Sequence, residues 1–221
     1  MNNAAFNDSS LFHAPLVEKP EQHDNHDHHA APQASPAICK LGMCIFLCSE
    51  ALLFSGLITA YLVLRQSAGS WPPDFGDGIE LPPMPKLLTG INTVILVSSS
   101  FVYHFAEVAV KKGKSGAGWM LLSALMGATF VGLQCVEWTE LYHEGLWFNK
   151  GGVYGSTFFT LTGFHGAHVI IGVLLILWCF FLQVTKGTFT PKRHVALENV
   201  GLYWHFVDVV WVFLYTILYL L

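Results

Sequence analysis

Charge is what this chain has least of. Only 12% of its 221 residues are Asp, Glu, Lys or Arg, about half the share of a soluble globular domain. Those few lie mostly in short stretches between long apolar runs. Hydrophobic residues make up 53%, which excludes a soluble domain and fits an integral membrane protein. No basic patch interleaved with aromatics is present, and a net charge of −4 offers nucleic acid no electrostatic footprint. A disulfide framework is missing too. The five cysteines are odd in number, with Cys44, Cys48, Cys135 and Cys179 inside apolar runs and Cys39 just before the first. They read as buried small hydrophobes. The first 38 residues hold no apolar core behind a basic start, so no signal peptide is expected and the amino terminus should persist. No repeat is visible, which argues against an inverted-repeat transporter.

What is present begins with a polar segment, residues 1–38, containing "EQHDNHDHHAAPQASP". It cannot bury enough apolar surface to offset its ordering entropy, so it reads as a disordered tail. Within it, His23, His26, His28 and His29 suit a weak divalent-metal site, or a proton-collecting surface titrating near neutrality. A plain solvated tail is the simpler reading. Residues 39–221 form the membrane domain. Five spans, about Leu41–Leu64, Leu87–Val110, Ala117–Leu141, Tyr154–Val184 and Val200–Leu221, are each long enough to cross ~30 Å of hydrocarbon. The fourth is overlong and must tilt or project. The expected fold is therefore an all-α, five-helix transmembrane bundle.

Lys19, Lys40, Lys111, Lys112, Lys114, Lys186, Lys192 and Arg193 fall on the amino-terminal side, against only Arg65, Lys86 and Lys150 on the other. That asymmetry predicts a cytoplasmic amino terminus and an opposite carboxyl terminus. Ala124, Ala128 and Gly132 repeat every four residues, as do Gly163 and Ala167, a spacing that lets membrane helices approach closely.

Ionisable groups inside such spans are costly, so each needs a reason. Helical rise puts Glu50 ~13 Å below the cytoplasmic surface, with His205 and Asp208 ~8 and ~12 Å below it. His165, His168 and Ser98–Ser100 fall in the same half. The reading is a buried polar network of Glu50, His165, His168, His205 and Asp208. His205 or the indole of Trp204 or Trp211 would donate to Asp208, and Glu50 would find its partner on another helix or be protonated. Gln134 and Glu137 sit near the far end of their span, where snorkelling is easier, and His104 and Glu107 read as interfacial. Three sharper readings rank below this one. Haem ligation is disfavoured because the histidines cluster at i, i+3 rather than in facing pairs. A copper pair at Cys44 and Cys48 lacks histidines on its span. A complete proton pathway within the chain is the third.

"LGMCIFLCSEALLFSG", "WPP", "INTVILVSSS", "GVYGSTFFTLTGFHGAHVIIG" and "YWHFVDVVWVFLY", in this order and spacing, resemble subunit III of haem–copper cytochrome c oxidases. The likeness covers most of residues 40–221 and omits the His-rich tail. It implies a non-redox subunit with no catalytic residue and no metal of its own. Haems and copper would sit in subunits I and II, subunit I would be the main contact, and cytochrome c would feed the complex. It further implies bound phospholipid, protection of the core during turnover and support of proton uptake at the cytoplasmic side. Glu50 then matches the family's buried carboxylate, and His205 and Asp208 its "WHFVD" motif. Longer members carry two further helices and hold lipid in the cleft beside them, so this is a short five-helix form. Only Arg65 and Lys86 suggest lipid-headgroup contacts. The implied location is the bacterial cytoplasmic membrane, with a thylakoid as the alternative. Subunit III of a quinol oxidase is the nearest rival, followed by a self-contained proton transporter and a small haem-b anchor.

Overall fold

The computed structural model describes residues 35–71, 86–149 and 151–220, with the side chain of Lys86 outside that set. The tail histidines His23, His26, His28 and His29 and most of the loop after Trp71 lie outside the described residues.

Five helices succeed one another: α1 Pro36–Ser67, α2 Lys86–Lys111, α3 Ala117–His143, α4 Gly152–Lys186 and α5 Val195–Tyr215. A π-helical turn over Thr216–Leu220 continues α5. All five are long and apolar enough to cross a bilayer, so this is a multi-pass membrane protein. At 1.5 Å per residue, the 35 residues of α4 span about 52 Å, well beyond the hydrocarbon thickness. The odd-numbered helices start at one end of the bundle, called here the near end.

Local chemistry sets the boundaries. Ser35 caps α1 by accepting from the Ile38 N–H at 3.4 Å, and Pro36 occupies the first turn, where its missing N–H costs nothing. The helix therefore starts inside the last residues of the stretch read as tail. Lys111 and Lys186 close the last turns of α2 and α4, favourable beside the negative end of the helix dipole. Gly116 turns the chain into α3 at φ +64, where a Cβ would lie 2.8 Å from the Ala106 carbonyl oxygen. No other residue type accepts both conditions.

α3 packs between α2 and α4, and α5 lies against α2, α4 and α1. Two tryptophans, seven residues apart on one face of α5, hold this arrangement. Trp204 is fully buried. Its ring presses on Gly127 of α3 and Gly172 of α4, where an added Cβ would come within 2.6 and 2.5 Å of ring atoms. Its Nε1–H donates to Ser99 Oγ of α2 at 3.0 Å, so one side chain ties together four helices. Ser123 of α3 donates to the Ser99 carbonyl at 3.0 Å. Two turns on, Trp211 Nε1–H donates to Thr93 Oγ1 at 2.9 Å, with the rings of Phe130 and His165 at centroid distances of 4.9 and 4.7 Å.

The small-residue repeat is therefore not the packing seam. Ala124 is buried, but Ala128 and Gly132 face outward, Gly132 with nothing within 4 Å. Gly163 meets only Trp138, and Ala167 is exposed. The close approach uses Gly127 and Gly172, because a ring rather than a second backbone fills the gap. The cysteines also depart from expectation. Only Cys179 is buried, while Cys39, Cys44, Cys48 and Cys135 are exposed. An outward membrane face is as apolar as the core, so hydrophobicity alone does not tell the two apart.

α1 is attached most thinly. Only Phe54 and Tyr61 among its residues are buried, and polar fastenings supply much of the attachment. At the near end Glu198 of α5 receives Lys40 of α1 and Lys111 of α2, both at 2.6 Å, with His194 at 3.5 Å. Asn199 Nδ2 donates to the Cys39 carbonyl at 3.3 Å. Neutralising this carboxylate by Glu198→Gln should raise amide hydrogen exchange over residues 36–45 by on the order of tenfold, since a charge-assisted bond is worth about 1.5–3 kcal/mol. Unchanged exchange there would show that α1 is held from elsewhere.

Candidate functional site

The membrane-embedded polar groups sort into separate places rather than one connected layer. The first joins α1 to α4. Glu50 Oε2 and His168 Nε2 are 3.0 Å apart, and His168 Nδ1 bonds the Phe164 carbonyl at 2.7 Å. Tyr203 of α5 donates its hydroxyl to the His168 carbonyl at 3.0 Å, and Phe54 packs edge-on against the imidazole at 5.0 Å. His168 sits half-buried at this contact and Glu50 likewise. With Nδ1–H donating to its own helix, Nε2 is free to accept from a protonated Glu50, while a protonated imidazole donates from both nitrogens. Either state satisfies the pair, so the partner Glu50 requires is His168.

The second place lies between α2 and α5. Ser100 Oγ is 2.5 Å from Asp208 Oδ2 and 3.0 Å from His205 Nδ1. The donor to Asp208 is therefore the Ser100 hydroxyl, not His205 or an indole. Trp204 and Trp211, one turn before and one turn after Asp208 on the same side of α5, point their N–H groups at Ser99 and Thr93 instead. Asp208 is buried, and its Oδ1 has no hydrogen-bond partner within the chain. The three residues line a cleft of about 330 Å³.

His165 stands apart. Fully buried, it is packed between Phe130 and Trp211. Its Nε2 lies 3.2 Å from the Val207 carbonyl oxygen, which fixes that nitrogen as the N–H donor. Its neighbour in sequence, His168, faces α1 rather than joining it.

A further cluster at the far end is one that hydropathy hides. Glu137 does not snorkel. It is 2% exposed, and accepts from the Tyr219 hydroxyl at 2.6 Å, from Thr89 Oγ1 at 3.3 Å and from Gln134 Nε2 at 3.4 Å. Three hydroxyl and amide donors from α2, α3 and the π turn thus surround one carboxyl. Glu107 is also buried rather than interfacial, 3.7 Å from an exposed His104. Both corrections share a cause: the α2–α5 and α2–α3 seams run to the ends of the spans and enclose groups that lie shallow along the helix axis. Arg65 is half-buried in the last turn of α1. Glu198, which sequence reading passed over, carries the near-end ion cluster. Its signal was the pairing of an acidic first turn with an excess of lysine on that side.

The ring nitrogens are largely committed. Both of His168, Nε2 of His165 and Nδ1 of His205 face oxygen partners within the chain. Among the described residues no group of three or more His, Cys, Asp or Glu side chains is placed to hold a metal ion. What the arrangement does chemically is neutralise and satisfy polar groups across helix seams, with surplus hydrogen-bonding capacity at the α2–α5 cleft.

Comparison with known proteins bears on what such a bundle belongs to. The family profile described as cytochrome c oxidase subunit III matches residues 21–221. Cytochrome c oxidase subunit 3 of Thermostichus vulcanus is 43% identical over 183 residues, 82% of this chain and 86% of the relative. The protein of the same name from Synechocystis sp. is 38% identical over 203 residues, 91% and 80% of the two chains. The chicken protein, from Gallus gallus, is 37% identical over 187 residues, 81% and 68%.

Proposed function

The chain belongs to the cytochrome c oxidase subunit III family, and from that premise we propose that it is the non-redox third subunit of an aerobic terminal oxidase. In this reading cytochrome c delivers electrons to the complex, oxygen is reduced in subunit I and protons are pumped. The chain stabilises subunit I, binds phospholipid and supports proton uptake from the cytoplasmic side. It carries no catalytic residue and no haem or copper of its own, these residing in subunits I and II.

The observation that carries the reading is how the membrane-embedded histidines are used. Their bonds to Glu50, Val207 and Ser100 join helices to each other, which is the work of a scaffold. Glu50, His165, His168, His205 and Asp208 are thus structural residues in this proposal. Arg65 and Lys86 are the proposed headgroup contacts at the far end, and the near end faces the cytoplasm by the excess of lysine and arginine there. Ordered lipid against the thinly attached α1 would substitute for the further helices of longer forms.

A second reading, subunit III of a quinol oxidase, shares the fold and differs in the haems of its complex. A reduced-minus-oxidised visible spectrum of the tagged chain, purified gently with its partners and again after stripping them, separates the possibilities. The expected result is haem-a bands in the complex and none on the stripped chain. Haem-b and haem-o bands in the complex would move the assignment to a quinol oxidase. A band that stays with the stripped chain would overturn the scaffold reading altogether.

A further inference from the structure

The loops at the near end carry positive charge that is left unbalanced among the described residues. Lys112 and Lys114 follow α2, Lys186 closes α4, and Lys192 and Arg193 lie in the turn before α5. All five are exposed, and none joins an ion pair among the described residues. The two loops meet, since a Cβ on Gly113 would stand 4.0 Å from Pro191 Cγ. The loop after α4 is held in shape from within. Gln183 Nε2 donates to the Phe189 carbonyl at 3.3 Å, and Gln183 Oε1 accepts from the Phe189 N–H at 2.8 Å. Phe189 is buried, and Thr190 and Arg193 exchange backbone hydrogen bonds. The cations thus stand on a built platform. Neighbouring carboxylates give it no relief. Glu198 of α5 is taken by Lys40, Lys111 and His194, and Glu107 of α2 is buried beside His104.

A matching negative charge lies in the same chain. The stretch from Glu18 to His29 holds Glu18, Glu21, Asp24 and Asp27 against Lys19 alone, and it is tethered at this end of the bundle. α1 and α5 both start at the near end, and Asn199 Nδ2 of α5 donates to the Cys39 carbonyl of α1 at 3.3 Å. From that contact Ser35 and Arg193 lie back toward the same end, by about 6 and 9 Å at the helical rise. The chain between Asp27 and Ser35 reaches up to about 26 Å. Anionic lipid headgroups carry charge of the same sign, but only the tethered stretch binds intramolecularly, and only it contains histidines.

We propose that residues 18–29 dock on the cationic platform of the α2–α3 and α4–α5 loops, and that their histidines release them as the medium acidifies. With His23, His26, His28 and His29 neutral, four carboxylates and one lysine leave the stretch at −3, and protonating all four histidines brings it to +1. Free histidine titrates at about pH 6.5, well above the carboxylates. Docking therefore holds above neutrality and is lost on the acid side of it. His104 and His194 gain positive charge over the same range, which adds to the platform's sign and strengthens the repulsion. The contact stands independently of the oxidase reading and gives the His-rich stretch a task that reading leaves open.

The test replaces Asn25 by the photoreactive p-benzoyl-phenylalanine in the full-length chain, within its native membrane complex. Irradiation at about pH 7.5 and low salt, then peptide mass spectrometry, should join position 25 to residues 112–116 or 186–193 of the same chain. The yield should fall several-fold in about 1 M salt, where charges are screened beyond ~3 Å, and again at about pH 5.5. Lys114→Glu with Lys192→Glu should lower it several-fold at the higher pH, and adding Asp24→Lys with Asp27→Lys should restore it. His23→Gln, His26→Gln, His28→Gln and His29→Gln together should keep the cross-link and remove only its loss in acid. Cross-links solely to lipid, to a second copy or to another subunit would overturn the docking, as would a yield indifferent to salt and to charge reversal. A parent cross-link that persists at about pH 5.5 would overturn the release by histidine.

Discussion

Gly172→Ala should lower the thermal midpoint of the folded chain by on the order of 5 °C or more. The new Cβ would stand 2.5 and 2.6 Å from two carbons of the Trp204 ring and 3.3 Å from Tyr203. Neither neighbour gives way easily. Trp204 is fully buried and its Nε1–H is tied to Ser99 on a different helix, while Gly127 lies so close on the other side that a Cβ there would also fall 2.6 Å from the ring. Overpacking of this kind costs about 1–3 kcal/mol, and Gly127→Ala should behave alike. Trp204→Phe removes much of the clashing ring, so its combination with Gly172→Ala should cost less than the sum of the two. Gly132→Ala is the internal control. Nothing lies within 4 Å of its added methyl, so the change should be neutral or mildly stabilising through the helix preference of alanine. Equal losses at Gly132 and Gly172, measured by thermal unfolding in detergent, would show that helix–lipid contact rather than the Trp204 hub sets the stability.

Glu137→Ala should be the most damaging change of an ionisable group. It strands the Tyr219 hydroxyl and the Gln134 amide around a space where water enters poorly. At about 1–3 kcal/mol for each orphaned polar group, a loss of about 3 kcal/mol or more is expected. Glu137→Gln retains a carbonyl acceptor and should lose less than half as much. Tyr219→Phe removes one of the three donors and should fall between them. The double variant Glu137→Ala with Tyr219→Phe should be less harmful than the separate losses added together, because the hydroxyl no longer needs a partner. Hydrogen exchange over Thr216–Leu220 should rise in step with the loss in stability. A Glu137→Ala chain that melts like its parent would mean that the carboxyl has another route to solvent.

How much of this was legible in the amino acids varies with the kind of feature. The five spans were, since nothing but a transmembrane helix explains apolar runs of that length. Their ends were less so. α1 starts at Pro36 rather than near Leu41 because a Ser-Pro cap outranks the polarity around Lys40, and α5 starts at Val195 rather than Val200 because Lys40 and Lys111 neutralise Glu198. That Glu50 needs a partner from another helix can be read from its isolation on α1. That the partner is His168 cannot, since 118 residues lie between them and helical spacing says nothing about which faces meet. The same limit explains Ser100 as donor to Asp208, and Glu137 as a buried rather than a snorkelling group. Depth along a helix can be counted from sequence, whereas rotation about its axis depends on neighbours. Gly127 and Gly172 stayed hidden for that reason too, as glycines whose meaning is a tryptophan on α5.

The polar seams also impose a timetable on biosynthesis. Glu50 is joined to His168, Ser100 to Asp208 and Glu137 to Tyr219 across 118, 108 and 82 residues of chain. At 5–20 residues per second, Glu50 enters the bilayer roughly 6–24 s before its partner has been made. Until α5 is made, Ser100 of α2 lacks its carboxylate and Glu137 of α3 has only Thr89 and Gln134 of its three donors, and insertion of such groups is least favourable while they are most alone. α4 and then α5 complete the pairing in a fixed order, Glu50 first and Asp208 and Glu137 afterwards. A nascent chain stalled before α5 is thus a distinct species, with Ser100 and Glu137 each still short of the partner that α5 and its π turn bring and open to whatever surveys incomplete bundles there.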